Sequence, residues 1–243
     1  MPLHIKADKS DISDKVILVG DQGRAEFLSH LLRDPKLVSS NRGLLVYTGE
    51  CKCSIWRSHA AKSVTIATSG MGQPSMAIVA EELHMLGAKK IVRFGTCGAI
   101  SRNVKIGDYI IATHASFTDG GIHSQYPEGL LPVASHGLSS KIWESMKSMN
   151  ASGIKVHAGK IFTSDAFYAE DDAFRQARED EGNIAADMET AILFKIARMR
   201  MFSATCVAVA VNEVQDKSAF LSADALAERI RAGAEAILSA LTK

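Results

Sequence analysis

The sequence predicts an α/β fold: one domain over residues 1–243, with a mixed, largely parallel central sheet flanked by helices. Two features support this prediction. Short β-branched runs alternate along the chain with segments whose apolar residues recur at helical spacing. No linker rich in Pro, Ser or Gly and no shift in composition divides the 243 residues, so a single domain is expected.

The chain opens with two strand–turn–helix units. In the first, a strand over residues 16–19 stops at Gly20 and is followed by apolar residues at helical spacing, namely Ala25, Leu28, Leu31 and Leu32. In the second, a strand over residues 64–68 leads through a turn into a helix over residues 75–86. The other predicted elements are strands over residues 91–94, 109–113, 156–161 and 205–211, and helices over residues 139–149 and 189–198.

The last predicted helix starts at Ala223 and has the clearest pattern. Its apolar residues form one stripe at a spacing of about 3.6 residues: Leu226, Ile230, Ala234, Ile237, Leu238 and Leu241. Ser222 stands where it would cap this helix. Residues 118–136 are predicted to form a long loop, and loops of that length often carry function.

The charge balance argues against several classes of partner. The chain has 28 Lys and Arg against 27 Asp and Glu, a formal charge of +1, and it contains no polybasic run. Neither a nucleic acid nor an anionic membrane surface is therefore an expected partner. The chain also lacks a signal peptide or an apolar stretch that could span a membrane, so a cytoplasmic protein is expected.

The four cysteines, Cys51, Cys53, Cys97 and Cys206, are too sparse for a disulfide framework and are predicted to be free thiols. Cys51 and Cys53 would share one strand face, and no second pair of Cys or His follows them. A metal site is therefore not predicted.

Three predicted strand ends combine glycine with a cation or a hydroxyl group: Gly20-Asp21-Gln22-Gly23-Arg24, Ser69-Gly70-Met71-Gly72, and Arg93-Phe94-Gly95-Thr96-Cys97-Gly98. Each suits an anion, because glycine lets backbone N–H groups approach an oxygen and arginine matches the geometry of phosphate. Taken alone, each is a weak signal, because a glycine after a strand is more often a plain structural turn. A dinucleotide site is not indicated, because Ser75 stands where the third glycine of that fingerprint is expected.

Charged residues inside apolar segments are the more informative signal. Arg93 interrupts an apolar run, and a position on an edge strand or in an ion pair would account for it. Asp187 and Glu189 lie among small apolar residues at a predicted strand-to-helix junction. There they could bind a ligand or simply complement the helix macrodipole.

Six short motifs follow one another along the chain: Gly20-Asp21-x-x-Arg24, Asn41-Arg42-Gly43, Gly70-x-Gly72-x-Pro74-Ser75, Arg93-x-Gly95-Thr96-x-Gly98, Ser164-Asp165-x-Phe167-Tyr168 and Asp187-Met188-Glu189. In this order they resemble the hexameric nucleoside phosphorylases. The resemblance covers essentially the whole chain. Residues 41–49 and 165–171 are most similar to the purine nucleoside and 5′-methylthioadenosine phosphorylases.

The resemblance implies phosphorolysis, in which inorganic phosphate attacks the anomeric carbon of a nucleoside and releases the free base and a pentose 1-phosphate. It implies no metal or organic cofactor. By resemblance, Gly20, Arg24, Arg93 and Thr96 would bind phosphate, and Arg42 would reach into the phosphate site of a neighbouring subunit. The protein is therefore expected to be a homo-oligomer, a hexamer built from dimers, with nucleoside and phosphate as its ligands.

The resemblance also assigns residues to the sugar. Glu189 would accept hydrogen bonds from the two ribose hydroxyls, as the two oxygens of a carboxylate can, and Met188 would pack against the ring. His4 would contact the 5′ position from the neighbouring subunit; as an alternative it is a solvated terminal histidine.

For the base, Phe167 would stack on the ring, with Tyr168 and Asp187 close by, although core packing explains Tyr168 equally well. The purine-specific members that this chain resembles have Ser-Asp at the end of the strand corresponding to residues 205–211, and there the Asp acts as the general acid. This chain has Asn212-Glu213 there. Glu213 is therefore the candidate acid, with one more methylene group than Asp.

Two alternatives remain. Uridine phosphorylases also have Val-Asn at this point, but they follow it with arginine and carry a Gln-x-Arg pair after Phe-Tyr. Residues 169–173 contain no such cation, which favours purine. The second alternative is a weakly active paralogue that binds nucleoside or phosphate.

Overall fold

The computed structural model describes residues 2–52, 62–216 and 218–242. The strands of this part are β1 (Lys15–Val19), β2 (Leu32–Ser39), β3 (Val46–Cys51), β4 (Ser63–Thr68), β5 (Lys90–Ala99), β6 (Tyr109–Phe117), β7 (Val156–Thr163), β8 (Asn183–Asp187) and β9 (Ser203–Glu213). Its α-helices are α1 (Gln22–Ser29), α2 (Gln73–Met85), α3 (His136–Met146), α4 (Asp172–Asp180), α5 (Thr190–Arg200) and α6 (Ala223–Thr242). The predicted α/β class is confirmed.

The strands form one mixed sheet in the order β2-β3-β4-β1-β5-β8-β7-β6-β9, and β9 also pairs with β5. The last five strands in this order therefore close into a ring. Parallel pairs join β1 to β4 and β5, β5 to β9, and β7 to β6 and β8. The predicted mixed, largely parallel sheet is confirmed. Because β5 pairs with β1, β8 and β9, its carboxyl end lies where the open part of the sheet meets the ring.

Both faces of the sheet are covered, as parallel strands require. Alternate side chains of β1 enter two apolar clusters: Val16 and Leu18 pack with α2 and α5, and Ile17 and Val19 with α1, α3 and α6. Gly233 lets α6 lie close to the sheet, because a Cβ atom there would be 2.5 Å from Phe94 Cζ.

The prediction for the first helix is wrong at its end. Helix α1 stops at Ser29, and Leu32, assigned to it from spacing, begins β2 and pairs with Cys51. This edge strand was not predicted because its sequence is charged and contains Pro35. Its pairing with β3 also shifts register between Arg33 and Lys36. Proline is tolerated at such an edge because no neighbouring strand needs its N–H.

The other predicted strands and helices are present, with ends that differ by a few residues. Ser222 caps α6 as predicted, since its Oγ accepts the backbone N–H of Ala225 at 3.3 Å. Helix α4 was not predicted because none of its side chains is buried. In the described part of the chain, no helix has the length and apolarity needed to cross a membrane.

The predicted loop over residues 118–136 contains one short 3₁₀ turn, Gly121–Gln125. Its His123 is buried and stacks on Phe117, with ring centroids 3.6 Å apart. Burial, assisted by nearby Lys195, lowers the pKa of His123 to about 4. This ring is therefore neutral at physiological pH and is part of the loop's packing.

Candidate active site

The centre of the candidate site is Arg93, whose side chain is 4% exposed. Its Nε donates to Asp187 Oδ2 at 3.0 Å, and its Nη2 donates to Glu189 Oε2. Burial acts to lower the pKa of Arg93, but the two carboxylates raise it above its ordinary range. Its Nη1 is buried and has no hydrogen-bond partner. The edge-strand explanation for this arginine is wrong, because β5 is paired on both sides; an ion pair is present, and it leaves one donor group unused.

Gly95 makes room for this guanidinium. Arg93 and Gly95 are two residues apart on β5 and so face the same side of the sheet. A Cβ atom on Gly95 would lie 2.8 Å from both Cζ and Nη2 of Arg93, closer than such atoms approach. Gly95 was predicted to let an anion approach the backbone, but in the structure the space beside it is filled by the Arg93 guanidinium.

Asp187 holds the arginine in place and starts the next helix. Its carboxylate accepts Thr190 Oγ1 at 2.6 Å, the Thr190 backbone N–H at 3.1 Å and Thr163 Oγ1 at 3.0 Å. Its side chain is fully buried. The resemblance placed Asp187 beside the base, but here its carboxylate is committed to Arg93 and the two threonines. Asp187 positions Arg93, and the sequence signal for this role is a threonine three residues after an aspartate, a helix-start pattern.

Glu189 connects the arginine to the glycine turn before α2. Its Oε1 accepts the backbone N–H of Gly72 at 2.7 Å. Gly72 has φ of +85°, a conformation that favours glycine, and this aims its N–H at the carboxylate. Burial raises the pKa of Glu189, whereas Arg93 opposes this rise. Met188 lies half-buried between the two acids in sequence.

Arg24 approaches the same centre from the first turn of α1. Asp21 caps this helix by accepting the Arg24 backbone N–H at 2.9 Å. Burial lowers the pKa of Arg24, Arg93 lowers it further, and Asp21 and Glu189 act in the opposite sense. The charges of Arg93 and Glu189 therefore act on Arg24. Gly20 lies directly before this turn, and Thr96 is half-buried on β5 three residues after Arg93.

His4 and Arg42 lie elsewhere. His4 Nδ1 is 2.8 Å from Glu82 Oε1, and the Asn41 side chain donates to the His4 carbonyl oxygen at 2.9 Å. Arg42, next to Asn41, is exposed. Glu82 is nine residues after the start of α2, or about 14 Å along the helix axis from the Gly72 contact. The structure thus brings the segments that carry these two residues together, with His4 about one and a half to three helical turns along α2 from the Gly72 contact.

Phe167 and Tyr168 form an edge-to-face pair with centroids 5.1 Å apart. Tyr168 is 92% exposed, so the core-packing explanation for it is wrong. The loop that carries this pair is tied to the start of α2, because Gln73 Nε2 donates to both carboxylate oxygens of Asp165, at 3.0 and 3.2 Å. The aromatic pair is therefore held on the same side as Gly72.

Glu213 ends β9 and is exposed. Its Oε2 accepts Gln215 Nε2 at 2.9 Å. It lines a cleft of about 440 Å³ together with Ala99, Ile100, Ser101, Arg102, Lys105, Asp172, Arg175 and Gln215. Arg93 and Glu189 do not line this cleft. The candidate acid is thus accessible and lies at the carboxyl end of β5, opposite Ala99 in the register.

No group of three or more His, Cys, Asp or Glu side chains in residues 2–52, 62–216 and 218–242 is arranged to hold a metal ion. Cys97 and Cys206 are buried thiols, and burial raises the pKa of Cys206 to about 12. Cys53, considered with Cys51 as a metal pair, lies outside the described residues.

Comparison with known proteins identifies the family of this chain. A family profile described as the phosphorylase superfamily matches residues 14–243. The chain belongs to this superfamily. A DeoD-type purine nucleoside phosphorylase of Caldanaerobacter subterraneus subsp. tengcongensis is 36% identical over 201 residues, covering 81% of this chain and 82% of the relative. One from Streptococcus uberis is 32% identical over 227 residues, covering 92% and 91%.

Two solved structures have the superfamily fold. Uridine phosphorylase from Vibrio fischeri aligns with a TM-score of 0.82 at 27% identity, over 99% of this chain and 95% of that one. Purine nucleoside phosphorylase from Toxoplasma gondii aligns with a TM-score of 0.85 at 24% identity, over 100% and 95%. The second likeness concerns the fold alone.

We expect Gly95→Ala to weaken the binding of inorganic phosphate, measured by calorimetry, by about tenfold or more, because the new methyl group displaces the Arg93 guanidinium and a charge-assisted hydrogen bond is lost. Gly137→Ala is the matched control, since a Cβ atom there meets nothing within 4 Å. Wild-type affinity in a folded Gly95→Ala protein would mean that Arg93 is not an anion ligand.

Proposed function

We propose that this protein cleaves purine nucleosides by phosphorolysis, producing the free base and a pentose 1-phosphate. The observation that carries the proposal is the buried Arg93, which has an unused Nη1 donor and lies beside the Glu189 carboxylate. A buried donor without a partner is costly, and an incoming oxyanion would remove that cost. The adjacent carboxylate provides the acceptors that a ribose diol requires.

In this proposal phosphate is bound by Arg93, Arg24, Thr96 and the backbone at Gly20. The guanidiniums fix the nucleophile below the sugar and balance its charge, while the transition state develops positive charge on the ring. Neither step needs a metal or an organic cofactor, because phosphate itself is the nucleophile.

The ribose hydroxyls would donate hydrogen bonds to the carboxylate of Glu189, and Met188 would pack against the sugar ring. Arg93 and Gly72 now occupy this carboxylate. Phosphate would bind the unused Nη1 of Arg93 and the diol would bind the remaining acceptor sites of Glu189, so the ion pair between the two residues stays in place. Desolvated charges therefore stay paired throughout binding, as they must in a buried site.

The base would stack on Phe167, with Tyr168 at its edge, while Glu213 protonates the leaving purine. Relatives that are 31–36% identical carry the name purine nucleoside phosphorylase, which supports a purine. Uridine is the second candidate, favoured by the 27% identity to the uridine phosphorylase of Vibrio fischeri. Residues 169–173 contain no cation that could read a uracil edge, which supports purine over uridine.

We further propose that the active unit is a homo-oligomer, a hexamer built from dimers, in which His4 and Arg42 act in the partner's site. Arg93 with its two carboxylates carries a net charge of −1, and Arg24 only neutralises it. A phosphate dianion therefore needs a further cation, and the exposed Arg42 of a partner subunit could supply it. Two exposed apolar residues seven apart on α2, Ile78 and Met85, together with exposed Met71 in the turn before it, offer a surface for such an interface.

Two further assignments belong to this proposal. Among the possible substrates, 5′-methylthioadenosine is retained beside the common purine nucleosides because of the similarity over residues 41–49 and 165–171. A cytoplasmic location is supported by the buried thiols of Cys97 and Cys206, neither of which is in a disulfide.

A panel of inosine, guanosine, adenosine, 5′-methylthioadenosine and uridine, assayed with and without phosphate, tests the reaction. We expect release of purine bases only with phosphate, together with pentose 1-phosphate as the second product. Equal turnover without phosphate would refute phosphorolysis, turnover of uridine alone would move the protein to the pyrimidine branch, and no turnover at all would favour the weakly active paralogue.

Glu213→Gln is expected to lower kcat on purine nucleosides by a factor of about 10² or more, because the amide cannot give a proton to the leaving base. Asp172→Asn is the matched control, since it removes a carboxylate from the same cleft. A normal rate in Glu213→Gln, or an equal loss in both variants, would exclude Glu213 as the acid.

Complementation tests the shared site. Arg42→Ala and Arg93→Ala should each be nearly inactive alone, but mixed oligomers formed by refolding them together should recover activity. One site in such a pair has its own Arg93 and the partner's intact Arg42. A mixture that stays inactive, although mass spectrometry finds mixed oligomers, would contradict donation across the interface.

A further inference from the structure

The N-terminal segment is held by one carboxylate that belongs to none of the motifs above. Glu82 lies on α2, is 6% exposed, and accepts the backbone N–H groups of three successive residues: Leu3 at 2.9 Å, His4 at 3.0 Å and Ile5 at 2.6 Å. Its Oε1 is also 2.8 Å from His4 Nδ1. The carboxylate therefore fixes both the backbone and the imidazole of His4.

These contacts determine which nitrogen of the ring carries hydrogen. Burial acts to raise the pKa of Glu82, but the hydrogen bonds from Ile5, His4 and Leu3 lower it below its ordinary value. Glu82 is thus ionised at neutral pH and can only accept hydrogen bonds. His4 Nδ1 must then be the donor, and in the neutral ring Nε2 has a free lone pair.

His4 Nε2 is directed away from this clamp. The His4 side chain is 28% exposed, and its Nε2 has no hydrogen bond to any described residue. The Asn41 side chain donates a hydrogen bond to the His4 carbonyl oxygen at 2.9 Å, so the His4 backbone is held at its carbonyl group as well as at its N–H. Next to Asn41 stands exposed Arg42, the other residue proposed to act in the partner's site.

We propose that Glu82 is a positioning residue: it fixes the His4 tautomer so that Nε2 accepts a hydrogen bond from the 5′-hydroxyl of a nucleoside in the partner's site. The inference rests on the proposed function and narrows its substrate class. A 5′-hydroxyl has a proton to donate, whereas a 5′-methylthio group has none. The tautomer therefore selects 5′-hydroxyl nucleosides over 5′-methylthio nucleosides.

The tautomer can be observed without any activity assay. In full-length protein labelled with ¹⁵N-histidine, and with His4 assigned by comparison with His4→Gln, we expect a pyrrole-like shift for Nδ1 and a pyridine-like shift for Nε2 at mildly alkaline pH. The reverse assignment would overturn the proposal. This measurement uses the wild-type protein and so does not depend on whether any Glu82 variant folds.

Kinetics on Glu82→Gln test the consequence. The Gln amide can donate to Nδ1 and move the ring hydrogen to Nε2, which then faces the 5′-hydroxyl as a donor. We expect kcat/KM for adenosine or inosine to fall about tenfold, and that for the corresponding 5′-deoxynucleoside to fall less than twofold. The control is Glu81→Gln, which removes a carboxylate that binds Arg200 at the surface and should leave the ratio of the two substrates unchanged.

A double variant separates positioning from a structural role. If Glu82 acts through His4, His4→Ala with Glu82→Gln should lose no more 5′-hydroxyl discrimination than His4→Ala alone. Additive losses, or an equal loss on both substrates in Glu82→Gln, would refute the proposal. A wild-type protein that cleaves no nucleoside in phosphate would refute the proposed function instead, while the NMR result would still report on the tautomer.

Discussion

The site depends on one interaction, the burial of Arg93 between Asp187 and Glu189. An arginine removed from water is tolerated only when its charge is paired and its N–H groups are bonded. Here two of its nitrogens are bonded to carboxylates and Nη1 is left over. The pairing that makes the arginine tolerable inside the protein thus leaves one donor group for a further acceptor, which the proposed function assigns to phosphate. In the proposed function, the residue assigned to phosphate, Arg93, and the residue assigned to the sugar, Glu189, stabilise each other before substrates bind.

The fold supplies each part of this arrangement from a different element. Strand β5 brings Arg93 to the carboxyl edge of the sheet, and its Gly95 leaves space for the guanidinium. The β8–α5 junction gives the two acids, because Asp187 accepts hydrogen bonds from Thr190 at the start of α5 while Glu189 reaches Gly72 before α2. Ligands of open α/β sheets bind at such edges, where loops from several strands meet. A change in any of these contacts would move the guanidinium.

Much of this could be predicted from the sequence, because the signals are local. Apolar periodicity located the buried strands and helices, and Arg93 was conspicuous as a charge within an apolar run. Edge strand β2 was missed because its exposed, proline-containing segment has no apolar alternation. The role of Glu82 had no local signal either, since its partners are 77 to 79 residues away and the residue reads as one more charge on a helix. The orientation of the Asp187 carboxylate likewise depends on hydrogen bonds from Arg93 and Thr163, which are distant in the sequence and become neighbours only in the folded chain.

Calorimetric titration of inorganic phosphate into the wild-type protein and into Arg93→Lys is a direct test of whether the buried Arg93 guanidinium binds phosphate. A lysine ammonium is a single point of charge and cannot bond Asp187, Glu189 and an anion with the geometry of the guanidinium fork. We expect saturable phosphate binding in the wild type and a loss of about tenfold or more in the variant, with the fold retained. Equal phosphate affinity in the two proteins would contradict it.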